Sequence, residues 1–343
     1  MKKQIEYFVR GYTGLGEVNY IESNIKEIKD VYILKAANEK TATLFLKQFI
    51  NILDDKYTVE VIKNPDYAEA LDGVIVRNKS LAILTTPFIK YVSSHSHLID
   101  LTKYTKLPIK FIAKKRKEII ESTIDYFSKS LECHKEIEKI HKKDMNFEIA
   151  DQLKNDFIEE KIQSYPNLDK QAHTYIRMFG TNTSEGIVSC VDNLLEPIEN
   201  HVFLKGAPGT GKSHFMKQVS EEVIKKGYDV EVYKCSFDTR SIDMIIIREM
   251  GYCLFDSSSP HDYDPSQRND YMINLLEVAS KKDYAKQNES TIKELKANHD
   301  RSFNNGLIEL AKLQELAGSI ENSEIKLTND EVKSILADYT VNY

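Results

Sequence analysis

The strongest constraint on the fold is an internal repeat, because segments of the first half of the chain recur in the second half in the same order. Lys35 aligns with Lys205, which sets the offset at 170 residues, and the offset grows to 171 further along and to 174 at the last pair of segments. The aligned pairs of segments are 13–18 with 183–188, 34–37 with 204–207, 45–48 with 215–218, 57–61 with 228–232, 71–77 with 242–248, and 98–101 with 272–275. A repeat of this length predicts one fold that is formed twice.

Within each copy, short β-rich runs alternate with helical patterns, which is typical of an α/β fold. In the first copy the predicted strands are 31–34, 58–62, 74–76 and 81–84, and the predicted helix is Thr41–Leu53. This order predicts a mostly parallel sheet with helices on both faces. Long helical extensions follow each sheet, and Thr328 with Glu331 predicts a capping box for the last helix. The pattern breaks at Pro166, so we expect domains at 1–165 and 166–343.

The composition of the 343 residues is that of a globular protein, with 41% hydrophobic and 29% charged residues and a net charge of −6. A negative net charge does not attract nucleic acid, so nucleic acid is not an expected partner. No run approaches the roughly 20 apolar residues of a membrane span. The four cysteines lack a C-x-x-C spacing, as in reduced proteins. We therefore expect a cytoplasmic protein without membrane contact.

The second copy carries the sequence G-x-x-x-x-G-K-S between a predicted strand at 201–205 and a helix that opens at Phe215. Glycines in such a loop let consecutive backbone N–H groups point at one phosphate group. The lysine reaches the β- and γ-phosphates, and the serine hydroxyl binds Mg²⁺. The motif predicts ATP and Mg²⁺ as cofactors. The predicted nucleotide-binding residues are Gly206, Ala207, Pro208, Gly209, Thr210, Gly211, Lys212, Ser213 and His214.

The corresponding loop of the first copy, residues 36–43, has lost every glycine. Ala42 stands opposite Lys212, and Glu39 would place a carboxylate where phosphates bind. We therefore expect the first copy to be a structural partner that binds no nucleotide.

Asp256 ends an apolar run, Cys253–Asp256, and its counterpart in the first copy is Thr85. An aspartate at this place in phosphate-binding loop proteins holds Mg²⁺ beside the loop serine, so Ser213 and Asp256 are the predicted metal ligands. Ser257 follows Asp256 in place of a water-polarising glutamate, which predicts slow hydrolysis.

Further catalytic candidates besides Lys212 and Asp256 are Arg240 and Arg268, for stabilising charge at the γ-phosphate, and His261, for ordering the attacking water. Neither arginine has an arginine opposite it in the first copy. Asp243 and Arg248 recur there as Asp72 and Arg77, which favours a structural role for both.

The second copy resembles a poorly characterised bacterial family of tandem P-loop ATPases. The resemblance rests on 205–213, on Lys234–Asp238, on 241–247 and on Phe255–His261, and it covers nearly the whole chain. It implies ATP binding at 206–213 and motif roles for Asp256 and His261. The family carries an intact loop in both halves, whereas residues 36–43 here depart from it.

Three functions follow from these residues. The first is a Mg²⁺-dependent ATPase that is active in the second half and signals to an unidentified protein partner or through self-association. The second is a small-molecule or nucleotide kinase, and the third is a nucleotide-sensing scaffold without hydrolysis.

Overall fold

The fold was analysed in a computed structural model, which describes residues 3–36, 38–92, 96–102, 109–258, 263–265, 269–281, 283–318 and 327–339. The elements up to residue 162 are β1 (Gln4–Tyr7), β2 (Arg10–Thr13), β3 (Gly16–Asn19), α1 (Ile21–Ile25), β4 (Asp30–Lys35), α2 (Glu39–Ile52), β5 (Val59–Lys63), β6 (Leu71–Val76), β7 (Leu81–Thr85), β8 (His97–Asp100), α3 (Ile109–Asp144) and α4 (Phe147–Phe157), which continues as a π-helical turn at Ile158–Ile162.

The remaining described elements repeat this order, with two short helices added between the last strand and the long helix. They are β9 (Thr174–Arg177), β10 (Gly180–Thr183), β11 (Gly186–Ser189), α5 (Val191–Leu195), β12 (Asn200–Lys205), α6 (Lys212–Lys225), β13 (Val230–Lys234), β14 (Ile242–Ile247), β15 (Tyr252–Asp256), β16 (Tyr271–Asn274), α7 (Leu275–Ala279), α8 (Asp283–Gln287), α9 (Glu289–Gly318) and α10 (Asn329–Asp338).

Two six-stranded sheets have the same topology. The strand order is β1-β5-β6-β7-β4-β8 in the first sheet and β9-β13-β14-β15-β12-β16 in the second. In each sheet one strand, β6 or β14, runs antiparallel to its two neighbours, and the other pairings are parallel. The predicted mixed α/β architecture with two mostly parallel sheets is confirmed.

Long helices cover only one face of each sheet. The outer face of the first sheet packs on α2 and α10, and that of the second sheet packs on α6 and α4. The two inner faces contribute to one shared core, which also contains the short helices α1 and α5. Helices therefore lie on both faces of each sheet, but the inner faces carry only these short helices and are otherwise buried against the other half.

One helix from each C-terminal extension, α4 or α10, packs on the sheet of the other half. Ala150 and Phe157 of α4 join the core of the second sheet, whereas Val332 and Leu336 of α10 join the core of the first. The helices α3 and α9 run antiparallel, since Ser122 contacts Glu309 and Ser130 contacts the carbonyl of His299. Among the described helices, none has the length and apolar character that a bilayer span requires.

Two local predictions have clear outcomes. The capping box of α10 is confirmed, with Thr328 and Glu331 each bonded to the backbone of the other. Helix α2 begins two residues before the predicted Thr41, because the side chain of Asn38 accepts a hydrogen bond from Thr41 N and caps the helix.

Candidate functional site

The loop Gly206–Ser213 lies between the end of β12 and the start of α6, as its flanking patterns predict. Gly206, Gly209 and Gly211 have φ angles of +156°, +86° and +100°. Residues with a side chain rarely adopt positive φ angles, which explains why glycine occupies these three positions. Gly211 caps α6 without a side-chain hydrogen bond, so the first N–H groups of the helix have no side-chain acceptor from their N-cap.

Lys212 folds back into this loop and is only 7% exposed. Its ammonium donates hydrogen bonds to the carbonyl oxygens of Gly206, at 2.5 Å, and Ala207, at 3.0 Å. It also lies 3.5 Å from Asp256 Oδ2. A buried ammonium carries a large desolvation cost, and here it is held by two neutral carbonyls and one carboxylate.

Asp256 reaches the loop because β15 pairs in parallel with β12, which places Asp256 opposite Leu204. Its side chain is 20% exposed, and Oδ1 accepts a hydrogen bond from Ser258 N at 3.1 Å. Ser258 Oγ in turn accepts a hydrogen bond from Gly206 N at 3.1 Å. The predicted loop lysine and strand-end aspartate therefore lie together.

Asp243 is a further acid at this edge that the sequence did not assign to the site. Because β14 is antiparallel, its first residues lie at the edge where the parallel strands end. Burial and the nearby carboxylate of Asp256 raise the pKa of Asp243 to about 7, although Cys235 and Lys212 oppose the shift. A carboxyl group with a pKa near neutrality can take up or release a proton at physiological pH.

The donor set fits Mg²⁺, which prefers oxygen ligands and takes few of them from the protein when phosphates complete its shell. Ser213 supplies a hydroxyl oxygen, which accepts a hydrogen bond from Ile242 N, and Asp256 supplies a carboxylate. Within the described ranges, no group of three or more His, Cys, Asp or Glu side chains forms a complete metal site. Such a set would hold Mg²⁺ together with a nucleotide rather than alone.

The C-terminal part of α3 lies over the loop. A Cβ atom on Gly209 would come within 2.6 Å of the carbonyl oxygen of Glu138 and 3.0 Å of Lys142 Cγ. His141 Nδ1 is buried without a hydrogen-bond partner. Burial lowers the pKa of His141, and Lys212 lowers it further. The sequence did not predict this contact, because it joins residues about 70 positions apart.

The remaining predicted residues have different outcomes. Arg240 is 56% exposed and pairs with Asp238, so its guanidinium lies near the surface in this structure. His214 is exposed on the first turn of α6, and its Nε2 lies 3.7 Å from Asp151 of α4. His261 and Arg268 lie outside the described residues.

The equivalent place in the first half carries different side chains. Asn38 caps α2 where Gly211 leaves α6 uncapped, and Ala42 provides no ammonium. Thr85 replaces Asp256 and donates a hydrogen bond to the carbonyl oxygen of Asp72. The first half therefore lacks the cation, the strand-end acid and the open helix terminus of the second half.

Comparison of the chain with protein-family models, with curated proteins and with solved structures found no match.

Proposed function

We propose that the second half of the chain binds ATP with Mg²⁺ at Gly206–Ser213 and hydrolyses it slowly, and that the first half is a structural partner. One observation carries this proposal. An almost fully buried Lys212 is held by the carbonyls of its own loop, beside Asp256 at the end of the adjacent strand. Phosphate oxygens would replace those carbonyls with stronger, charge-assisted hydrogen bonds.

Asp243 favours hydrolysis over a pure scaffold. The residue after Asp256 is a serine, so the usual position of a water-polarising acid offers no base. Asp243 is buried at the same edge of the sheet beside Asp256 and Lys212, and we assign it as the acid that accepts a proton from water. In this function Ser213 and Asp256 would hold Mg²⁺, which supplies positive charge at the phosphates.

The test is calorimetric titration of the full chain with ATP and Mg²⁺, with phosphate release followed in the same samples. We expect one site per chain in the wild type and none in Lys212→Ala. Lys40→Ala, which changes a lysine near the start of α2 in the first half, is the matched control and should bind as the wild type does. Equal losses in both variants, or two sites per chain, would contradict the assignment of one active half. Transfer of the γ-phosphate to an acceptor, with little release without it, would instead support a kinase.

A further inference from the structure

A shallow cleft lies beside the phosphate loop, between α4 and the first turn of α6. Gly211, the last residue before α6, forms part of its rim, so the cleft begins where the loop ends. The floor is apolar and consists of Ala150, Phe215 and Leu275, all of them buried. The ring of Phe147 forms one wall and is 44% exposed, so part of its surface is accessible to a ligand.

The edge of the cleft carries an acceptor and a donor side by side. Asp151 Oδ1 accepts a hydrogen bond from Lys154 Nζ at 3.1 Å. Lys154 is only 9% exposed, so its aliphatic part lies in the floor while its ammonium reaches Asp151. His214 Nε2 lies 3.7 Å from the same carboxylate oxygen.

From this arrangement we propose that the cleft takes the base of the bound nucleotide, and that the base is adenine. This inference rests on the proposed function, because the loop must first hold the phosphates. A purine ring would stack on Phe147, as bases commonly do on exposed aromatic side chains. Adenine presents an amino donor next to a ring-nitrogen acceptor, which complements the carboxylate of Asp151 next to the ammonium of Lys154.

The size of the cleft sets how the base would lie. Its volume is about 70 Å³, which is small beside the roughly 300–1,000 Å³ of pockets that enclose a ligand. The base would therefore rest with one face against Phe147 and the other open to solvent. Such a site contacts only the edge and one face of the base, so removal of the Phe147 ring should weaken ATP binding without abolishing it.

The experiment compares Mg²⁺-ATP with Mg²⁺-tripolyphosphate, which has no base, on the full chain. Phe147→Ala should weaken ATP binding about tenfold or more, the effect expected of one lost base–aromatic stack. Phe147→Tyr keeps a ring and should stay within about twofold of the wild type. Neither variant should change the affinity for tripolyphosphate.

Purine riboside triphosphate, which lacks the amino group, tests the role of Asp151. The wild type should bind ATP more tightly than this analogue, and Asp151→Ala should remove that preference. Asp156→Ala is the matched control, because Asp156 is an exposed aspartate of α4 that pairs with Gln152 and does not line the cleft.

The outcomes separate this inference from the function on which it rests. If Lys212→Ala abolishes ATP binding while Phe147→Ala and Asp151→Ala leave it unchanged, the base does not lie in the cleft and the nucleotide site stands. Tighter binding of GTP than of ATP would overturn the choice of adenine. If the wild type binds neither ATP nor tripolyphosphate, both proposals are wrong.

Discussion

Asp243 and Asp72 occupy equivalent positions in the two sheets, but their partners differ. Asp72 accepts a hydrogen bond from Arg10 Nε at 2.5 Å and from Asn64 at 2.7 Å. Gly180 stands at the position of Arg10 in the second half and has no side chain to pair with the acid. Asp243 therefore lies beside Asp256 and Lys212 instead of an arginine.

This pair of residues shows what the comparison of the two copies left out for Asp243. Retention of an aspartate in both copies favoured a structural role, and the comparison considered the acid alone. The loss of its partner, from Arg10 to Gly180, is visible in the aligned sequences and indicates that the second copy of the acid has a different environment. Partners of a repeated residue are thus as informative as the residue itself.

Asp243→Asn should stabilise the unliganded protein at pH 8 and have little effect at pH 4. The folded-state pKa of about 7 lies above the ordinary aspartate value of 3.8, so the folded protein favours the protonated acid. Stability from this group is complete below about pH 4 and is lost as the pH rises through 7. The amide resembles the protonated form and avoids that loss. Thermal unfolding with EDTA at both pH values measures the difference, and a lower Tm for the variant at pH 8 would contradict it.

At the scale of elements, the close approach of α3 to the loop Gly206–Ser213 depends on Gly209. This residue has a φ of +86°, and an added Cβ would lie 2.6 Å from the carbonyl oxygen of Glu138. Two requirements therefore coincide, a left-handed backbone and the absence of a side chain. Gly186 has a similar φ of +101° but nothing within 4 Å of an added Cβ, so only the first requirement applies there.

Gly209→Ala should lower the free energy of unfolding by more than Gly186→Ala does. The backbone penalty in each variant is about 1 kcal/mol. A forced contact in a packed region adds roughly 1–3 kcal/mol, and only Gly209→Ala incurs it. Urea denaturation of both variants gives the difference between their free energies of unfolding. This difference measures the contact between α3 and the loop. Equal losses would mean that α3 does not rest on the loop in solution.

At the scale of the whole molecule, local patterns predicted the elements but not their partners. The short apolar runs of β4 and β12 and the turn glycines of the loop are local features, and the strands and the loop appear where these features indicate. The packing of α4 on the second sheet and of α10 on the first depends on contacts between distant segments. Local sequence carries no information on which sheet a helix packs against. The residues that α3 and α4 contribute to the site were therefore not predicted.

The two halves meet around a local pseudo-twofold axis. Phe8 and Met178, which are equivalent in the repeat, exchange backbone hydrogen bonds of 2.9 and 2.8 Å. Reciprocal contacts between equivalent residues are the mark of an interface with twofold symmetry. Arg177 departs from this symmetry. It is fully buried, and its Nη2 lies 2.8 Å from Glu60 Oε2 of the first half. Its Nη1 lies 3.2 Å from Glu231 Oε2 of the second half, without hydrogen-bond geometry.

Glu231→Gln should destabilise the protein at pH 7 by about 3 kcal/mol, the usual cost of breaking a buried ion pair. Burial alone would raise the pKa of Glu231, but Arg177 and Arg248 outweigh it and lower the pKa to about 2. The ionised carboxylate therefore contributes stability above about pH 4.5, and this contribution is lost as the pH falls towards 2. The variant cannot ionise, so the gap between it and the wild type should narrow between pH 5 and pH 3.

Glu249→Gln is the control for this prediction, because Glu249 pairs with Lys170 at the surface with 39% of its side chain exposed. Exposed pairs contribute about 0–1 kcal/mol, so this variant should unfold close to the wild type at every pH. Urea denaturation at pH 3, 5 and 7 measures all three proteins. If Glu231→Gln lowers the free energy of unfolding by the same amount at each pH, the carboxylate stabilises the protein by its shape and not by its charge. The junction between the halves would then be held by the shared apolar core and the backbone hydrogen bonds of Phe8 and Met178, and Glu60 would be sufficient to balance the buried cation of Arg177.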